Sequence, residues 1–278
     1  MIMTDKIIRS FLKKTVSDLT PKYSKFNISW IDEKIYKHSS SNTKYYHKYK
    51  QGLNVAFTDP LSFLHAIKEI FVDEIYLFKT ENPRPFILDC GGYIGLSALF
   101  FKLHYPQSKI IVFEPDSKNF QLAKENIESW KFNDIELYEK AVWTNNDYIE
   151  FYESNSMASS VRPLATGGKL VKIPAIRLKD FLNQKVDFLK IDIEGAEYEV
   201  LLDIKDELKN IEKIFVEYHG YYNEMHKLNS ILNILTEQNF QWYIKEATDV
   251  YPRPFYDKKV VDTYDVQLNI FAFRNGNQ

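Results

Sequence analysis

The sequence predicts an α/β fold: an open, mostly parallel sheet of seven strands with helices on both faces, preceded by an N-terminal extension. Three observations lead there. From about residue 61, helix-like and strand-like segments alternate without repeats or low-complexity linkers. Short apolar runs, such as residues 86–88 and 109–113, read as strands buried on both faces. A glycine turn, Asp89-Cys90-Gly91-Gly92-Tyr93-Ile94-Gly95, joins the first of these to the next helix, which is where α/β sheets bind ligands.

Taken in order, residues 1–60 form a basic, aromatic extension and residues 61–278 the main domain. Residues 1–50 carry eleven Lys or Arg against four Asp or Glu, a net +7, while the rest carries 25 against 34, a net −9. Residues 62–78 read as one amphipathic helix, after which Pro83 and Pro85 break the pattern. A strand at 86–88, a helix at 93–103 and a strand at 109–113 ending before Glu114 follow. Ser117 is placed to cap the next helix, where Phe120, Ala123, Ile127 and Trp130 share the face toward the sheet. Further strands are expected at 135–138, 170–173, 186–191, 211–216, 240–244 and 266–273.

Composition excludes several classes. Cys90 is the sole cysteine, so no intramolecular disulfide and no Cys-rich zinc or iron–sulfur site can form. Lysines and an arginine interrupt the first twenty residues, unlike a signal peptide, and no apolar run is long enough to span a bilayer. A cytoplasmic protein is expected.

Glycines at a strand-to-helix turn let the backbone bend sharply and let a ligand approach without meeting a Cβ atom. A nicotinamide cofactor would require glycine at positions 93 and 96, where Tyr93 and Leu96 stand. The looser Asp-x-Gly-x-x-x-Gly pattern suits a cofactor without a pyrophosphate, such as S-adenosylmethionine. Glu114 lies nineteen residues after Gly95, close to the offset of an acid that binds ribose hydroxyls. Pro115 and Asp116 follow it, with no arginine to accept a 2′-phosphate.

Residues 186–197, VDFLKIDIEGAE, run from a strand into a cluster of acids. The strand period of two puts Lys190 and Asp192 on one side, and Glu194 and Glu197 are expected on the opening turn of a helix. Together with ILDCGGYIG, VFEPD, EKAVW and LKIDIEGAEYEVL, the chain resembles the FkbM family of methyltransferases over roughly residues 61–245. The resemblance implies a Rossmann-like class I methyltransferase fold and S-adenosylmethionine as cofactor. It places Asp89, Gly91 and Gly95, with Tyr93 in the same loop, along the methionine part of the cofactor. Glu114 with the adjoining Pro115 falls to the ribose, and residues 140–142, centred on Ala141, to the adenine. Gly92 stands where many relatives have alanine, and Cys90 where they have valine or isoleucine.

Methyl transfer to a hydroxyl needs alignment and removal of a proton. Asp192, Glu194 and His219 are the catalytic candidates, the last in Glu217-Tyr218-His219 at the end of a strand. An ion pair with Lys190 is the structural alternative for Asp192, and a favourable helix start that for Glu194. Asp192, Glu217 and His219 also form a candidate divalent-metal set, to which no metal is assigned. The acceptor implied by the family is a hydroxyl of a sugar, glycan or other small natural product. Residues 44–50, KYYHKYK, offer cations and aromatics for a phosphate-bearing or sugar-containing acceptor, or simply form a hairpin, and residues 154–161 offer a second wall. Nucleic acid is disfavoured because the rest of the chain is acidic. The rival readings are a nucleotide-dependent oxidoreductase or sugar-modifying enzyme, and a non-catalytic protein retaining the fold.

Overall fold

A computed structural model describes residues 21–153, 169–259 and 264–274. The chain divides into two units, Met1–Ile75 and Tyr76–Gln278.

In the first unit, α1 (Trp30–Lys37) begins with a reciprocal cap between Ser29 and Asp32. β1 (Tyr45–Lys48) pairs antiparallel with β2 (Asn54–Phe57), and α2 (Pro60–Ile67) is capped by Asp59 with proline at its first position. Rings fill the interior: Phe57 stacks on Phe63 at 3.9 Å and Phe26 on Tyr49 at 4.2 Å. His47 is buried between the Phe26 carbonyl, 2.9 Å from Nε2, and the Tyr36 hydroxyl, 3.0 Å from Nδ1. A carbonyl only accepts, so Nε2 carries the proton and Nδ1 accepts from Tyr36; burial holds His47 below its usual pKa. Residues 44–50 are therefore largely a hairpin with part of its aromatic surface turned inward, while Tyr46 faces solvent with Lys44 above its ring.

The single helix expected at 62–78 stops early. α2 widens into one π-type turn at Lys68–Val72, and Glu74 adopts φ +54°. Tyr76 and Phe78 then run into the second unit, where Phe78 stacks on Phe188 at 4.9 Å and Tyr76 meets Phe215 at 5.0 Å. Their apolar character, which prolonged the helical pattern, serves the sheet instead.

The second unit contains β3 (Phe86–Cys90), α3 (Leu96–His104), β4 (Lys109–Phe113), α4 (Ser117–Trp130), β5 (Ile135–Tyr138), β6 (Ala141–Trp143), β7 (Tyr148–Glu153) and β8 (Lys169–Arg177). β9 (Phe188–Ile191), α5 (Glu197–Asp203), β10 (Lys213–Gly220), α6 (Met225–Glu237), β11 (Phe240–Glu246) and β12 (Val266–Arg274) follow. Seven strands form one sheet in the order β11-β12-β10-β9-β3-β4-β5, with β12 antiparallel to both its neighbours and the pairs from β10 to β5 parallel. This is the open, mostly parallel seven-stranded sheet that the sequence predicts. Every residue of β3 and β9 is buried, as strands covered on both faces require.

Three local expectations change. Asp116, not Ser117, caps α4, its side chain accepting the N–H groups of Lys118 and Asn119. The segment at 170–173 belongs to β8, in a separate sheet ordered β6-β8-β7, and its alternating exposure shows one solvated face. The helix expected from Tyr93 starts at Leu96, because Tyr93 and Gly95 take left-handed φ of +47° and +87°. Among the described residues no helix is long and apolar enough to cross a membrane.

Arg274 closes the antiparallel end of the sheet. Its Nε, Nη1 and Nη2 donate to the carbonyls of Ile211, Gln238 and Leu208 at 2.7–2.8 Å, and its guanidinium lies 4.2 Å from the Phe240 ring centre. Arg274→Lys keeps the charge but cannot span three carbonyls, so urea unfolding should show a loss of about 2–3 kcal/mol.

Candidate functional site

The parallel strands bring four sequence-distant segments to one edge of the sheet. Beyond the C-terminal ends of β3, β4 and β9 lie Gly91, Glu114 and Asp192, and β10 carries His219 in its final residues.

The register sets Asp89 directly beside Lys190, and the side chain of Lys190 is only 3% exposed. Its ammonium donates to the Gly91 carbonyl at 2.7 Å and lies 3.3 Å from Asp89 Oδ1 and 3.2 Å from Asp192 Oδ2. Burial alone would depress the lysine pKa, but Asp192 and Asp89 outweigh it and hold the ammonium well above the usual value. Asp89 is fully buried and also accepts from the Ser97 hydroxyl, so its carboxylate shapes the loop from beneath. Asp192 does form the expected ion pair, yet its side chain keeps 25% of its surface open.

The glycines are sterically required. A Cβ at Gly91, where φ is +103°, would lie 1.9 Å from the Asp192 carbonyl oxygen. At Gly92 it would lie 2.2 Å from Val112 Cγ1, so alanine there needs Val112 to move. Gly95 supplies its positive φ with ordinary clearances.

Glu114 is tied to the same loop: Oε2 accepts the Tyr93 N–H at 2.7 Å and Oε1 that of Asp116 at 3.0 Å. Each oxygen retains a lone pair for a further donor such as a ribose hydroxyl. Burial pushes its carboxyl up to about 8, against the two N–H groups. Pro115 is half-buried beside it, and Ala141, 6% exposed, opens β6 three residues beyond β5.

The second cluster surrounds His219, whose side chain is 3% exposed. Nδ1 lies 3.1 Å from Glu197 Oε1, while Nε2 lies 3.6 Å from Glu217 Oε1 and 3.8 Å from Glu194 Oε2. Glu194 is not on the helix as expected. It sits in a left-handed turn, φ +54°, before α5 starts at Glu197. Desolvation raises its carboxyl to about 7; His219 opposes this, and Asp192 and Glu197 add to it. Burial would lower His219, but Glu194, Glu197 and Glu217 hold it well above its usual pKa.

Asp192, Glu194 and His219 each bring one ligand atom within 4.8 Å of the others, with Glu194 where the sequence suggested Glu217. The same three side chains offer oxygen and nitrogen atoms that could hold a divalent cation or pass a proton. The sequence treated Glu197 only as a helix-start acid; its signal was its place as the last acid of Asp-x-Glu-Gly-x-Glu. Tyr264, whose ring lies 4.7 Å from that of His219, carried no sequence signal. Residues 154–161 lie outside the described residues.

A family model for the methyltransferase FkbM domain matches residues 89–242. Methyltransferase 1 of Beauveria bassiana (strain ARSEF 2860) is 30% identical over 172 residues, covering 53% of this chain and 68% of that protein. The 2-O-methyltransferase NoeI of Sinorhizobium fredii (strain NBRC 101917 / NGR234) is 26% identical over 215 residues, covering 67% and 87%. The structure of methyltransferase FkbM from Methylobacillus flagellatus KT aligns with TM-score 0.46 and 17% identity over 69% of this chain and 44% of that one.

Lys190→Met leaves the buried Asp89 and the half-buried Asp192 without their cation, and chemical denaturation should show a loss of about 3–5 kcal/mol. Gly92→Ala should cost about 1–3 kcal/mol, with part regained in Gly92→Ala/Val112→Ala. Glu194 offers a pH signature: its carboxyl sits near 7 in the fold against 4.5 ordinarily. The folded chain then holds a proton that the unfolded chain has lost, so this contribution to stability falls as pH rises from 4.5 to 7. Denaturation midpoints across that range should decline less in Glu194→Gln.

Proposed function

Because the chain belongs to the FkbM methyltransferase family, we propose that it transfers the methyl group of S-adenosylmethionine to a hydroxyl oxygen of a sugar, glycan or other small hydroxyl-bearing acceptor. The observation that carries this reading is the direct hydrogen bond from the Tyr93 N–H to Glu114, which joins the glycine turn to the ribose acid in one cradle.

In this reading the backbone from Gly91 to Gly95 lies along the methionine part, with Asp89 supporting it through Lys190. Glu114 and Pro115 take the ribose and Ala141 borders the adenine. When bound, the sulfonium supplies an electrophilic methyl carbon and a good leaving group. The Glu194 carboxylate, held beside His219, would take the acceptor's hydroxyl proton. Asp192 stands between the two clusters and orients the cofactor's ammonium or the acceptor. The relative NoeI is named a 2-O-methyltransferase, which supports oxygen as the acceptor atom here. A polysaccharide or nucleotide-linked sugar is the preferred acceptor, with a cytoplasmic location.

Calorimetry with S-adenosylmethionine, S-adenosylhomocysteine and NAD tests the cofactor. Micromolar binding of both adenosyl ligands is expected, weakened about tenfold or more in Glu114→Ala by loss of the hydrogen-bonding partner of the ribose. Binding of NAD alone would overturn the reading, and binding of none would favour a non-catalytic holder of the fold.

A further inference from the structure

We propose that Glu197 is a positioning residue that locks the ring of His219 and the Glu194 turn into one unit, presenting imidazole Nε2 and the Glu194 carboxylate to the acceptor together. The inference rests on reading Glu194, held beside His219, as the group that handles the acceptor's proton.

Glu197 is 1% exposed, and one of its oxygens gathers three donors. Oε1 accepts the backbone N–H of Gly195 at 3.0 Å and of Ile193 at 3.3 Å, and it lies 3.1 Å from His219 Nδ1. A carboxylate only accepts, so Nδ1 carries the ring proton and Nε2 is the nitrogen that exchanges it. Free imidazole favours the opposite placement; here the choice is imposed by Glu197. The two backbone bonds brace the residues on either side of Glu194, which holds φ at +54° without being glycine. A single side chain therefore sets both the tautomer of the histidine and the location of the acid opposite it. The same arrangement, a carboxylate behind a histidine that works at its other nitrogen, recurs wherever an imidazole must be aimed.

The charge state of His219 follows from everything that faces it. Glu217 comes from its own strand, Asp192 and Glu194 from the turn after β9, and Glu197 from α5. Tyr264 covers the ring from the segment before β12, and Glu224 and Lys227 line the same pocket from the start of α6. Among these Glu197 is the acid in direct hydrogen-bonded contact, so its charge has a large hold on the imidazolium.

The test uses the whole chain with 13C,15N-labelled histidine, and the His219 signals are assigned by their loss in His219→Asn. In the wild type, long-range 15N–1H spectra of the neutral ring should show the proton on Nδ1. In Glu197→Ala, which removes the acceptor from Nδ1, the neutral ring should move to the Nε2-protonated tautomer that free imidazole favours. A ring that stays protonated at Nδ1 in that variant would overturn the proposal. If Glu197→Ala fails to fold, the wild-type tautomer decides: a neutral ring protonated at Nε2 would sink it. The readout needs neither cofactor nor acceptor, so it fails independently of the methyltransferase reading.

Discussion

The buried ammonium of Lys190 is the constraint on which the site depends. It has three N–H groups and three acceptors around it: the Gly91 carbonyl and the carboxylates of Asp89 and Asp192. Drawing the Gly91 carbonyl inward forces that residue to φ +103° and brings its backbone against the Asp192 carbonyl. Only glycine fits there, so the glycine motif after β3 is the steric consequence of a lysine a hundred residues later. Two carboxylates offset the desolvation of one ammonium, which also ties the ends of β3 and β9 beyond their ladder.

The neighbouring cluster has the opposite design. Around His219 the cation is an imidazolium, which can lose its proton, whereas Lys190 is held far from any such change. Asp192 pairs with Lys190 and lies within 4.8 Å of His219, so it stands where a fixed charge meets a titratable one. A permanent cation suits the part that must keep a loop in place. A titratable one suits the proposed role of a group that exchanges a proton.

The sheet was legible because its strands are short apolar runs with glycine, proline or acidic ends, and helices between them have a clear face. Asp89, Gly91, Glu114, Asp192 and His219 were found through their places at strand ends, a position that periodicity fixes to within a residue. What escaped was tertiary. Tyr76 and Phe78 fit a helical pattern and an extended one equally well, and only the rings of Phe188 and Phe215 decide between them. Residues 170–173 are as apolar as a central strand, but a two-faced environment cannot be told from a one-faced one in so short a run. Glu194 looked like a helix-start acid because nothing local announces a left-handed residue before Gly195. The bonds that hold it there come from Glu197.

The proposed choice of oxygen over nitrogen as the acceptor atom can be argued physically from this second cluster. A neutral amine attacks a sulfonium methyl with its own lone pair and can shed a proton to water afterwards. An aliphatic hydroxyl is a poor nucleophile unless its proton leaves as the new bond forms, which requires a base already in place. A carboxyl near 7 facing a buried imidazole is costly to maintain in a fold that needs no base, since burial and the adjacent acids all oppose its ionisation. That the chain surrounds His219 with Asp192, Glu194, Glu197 and Glu217, rather than with apolar side chains, fits the proposed removal of a proton from the acceptor.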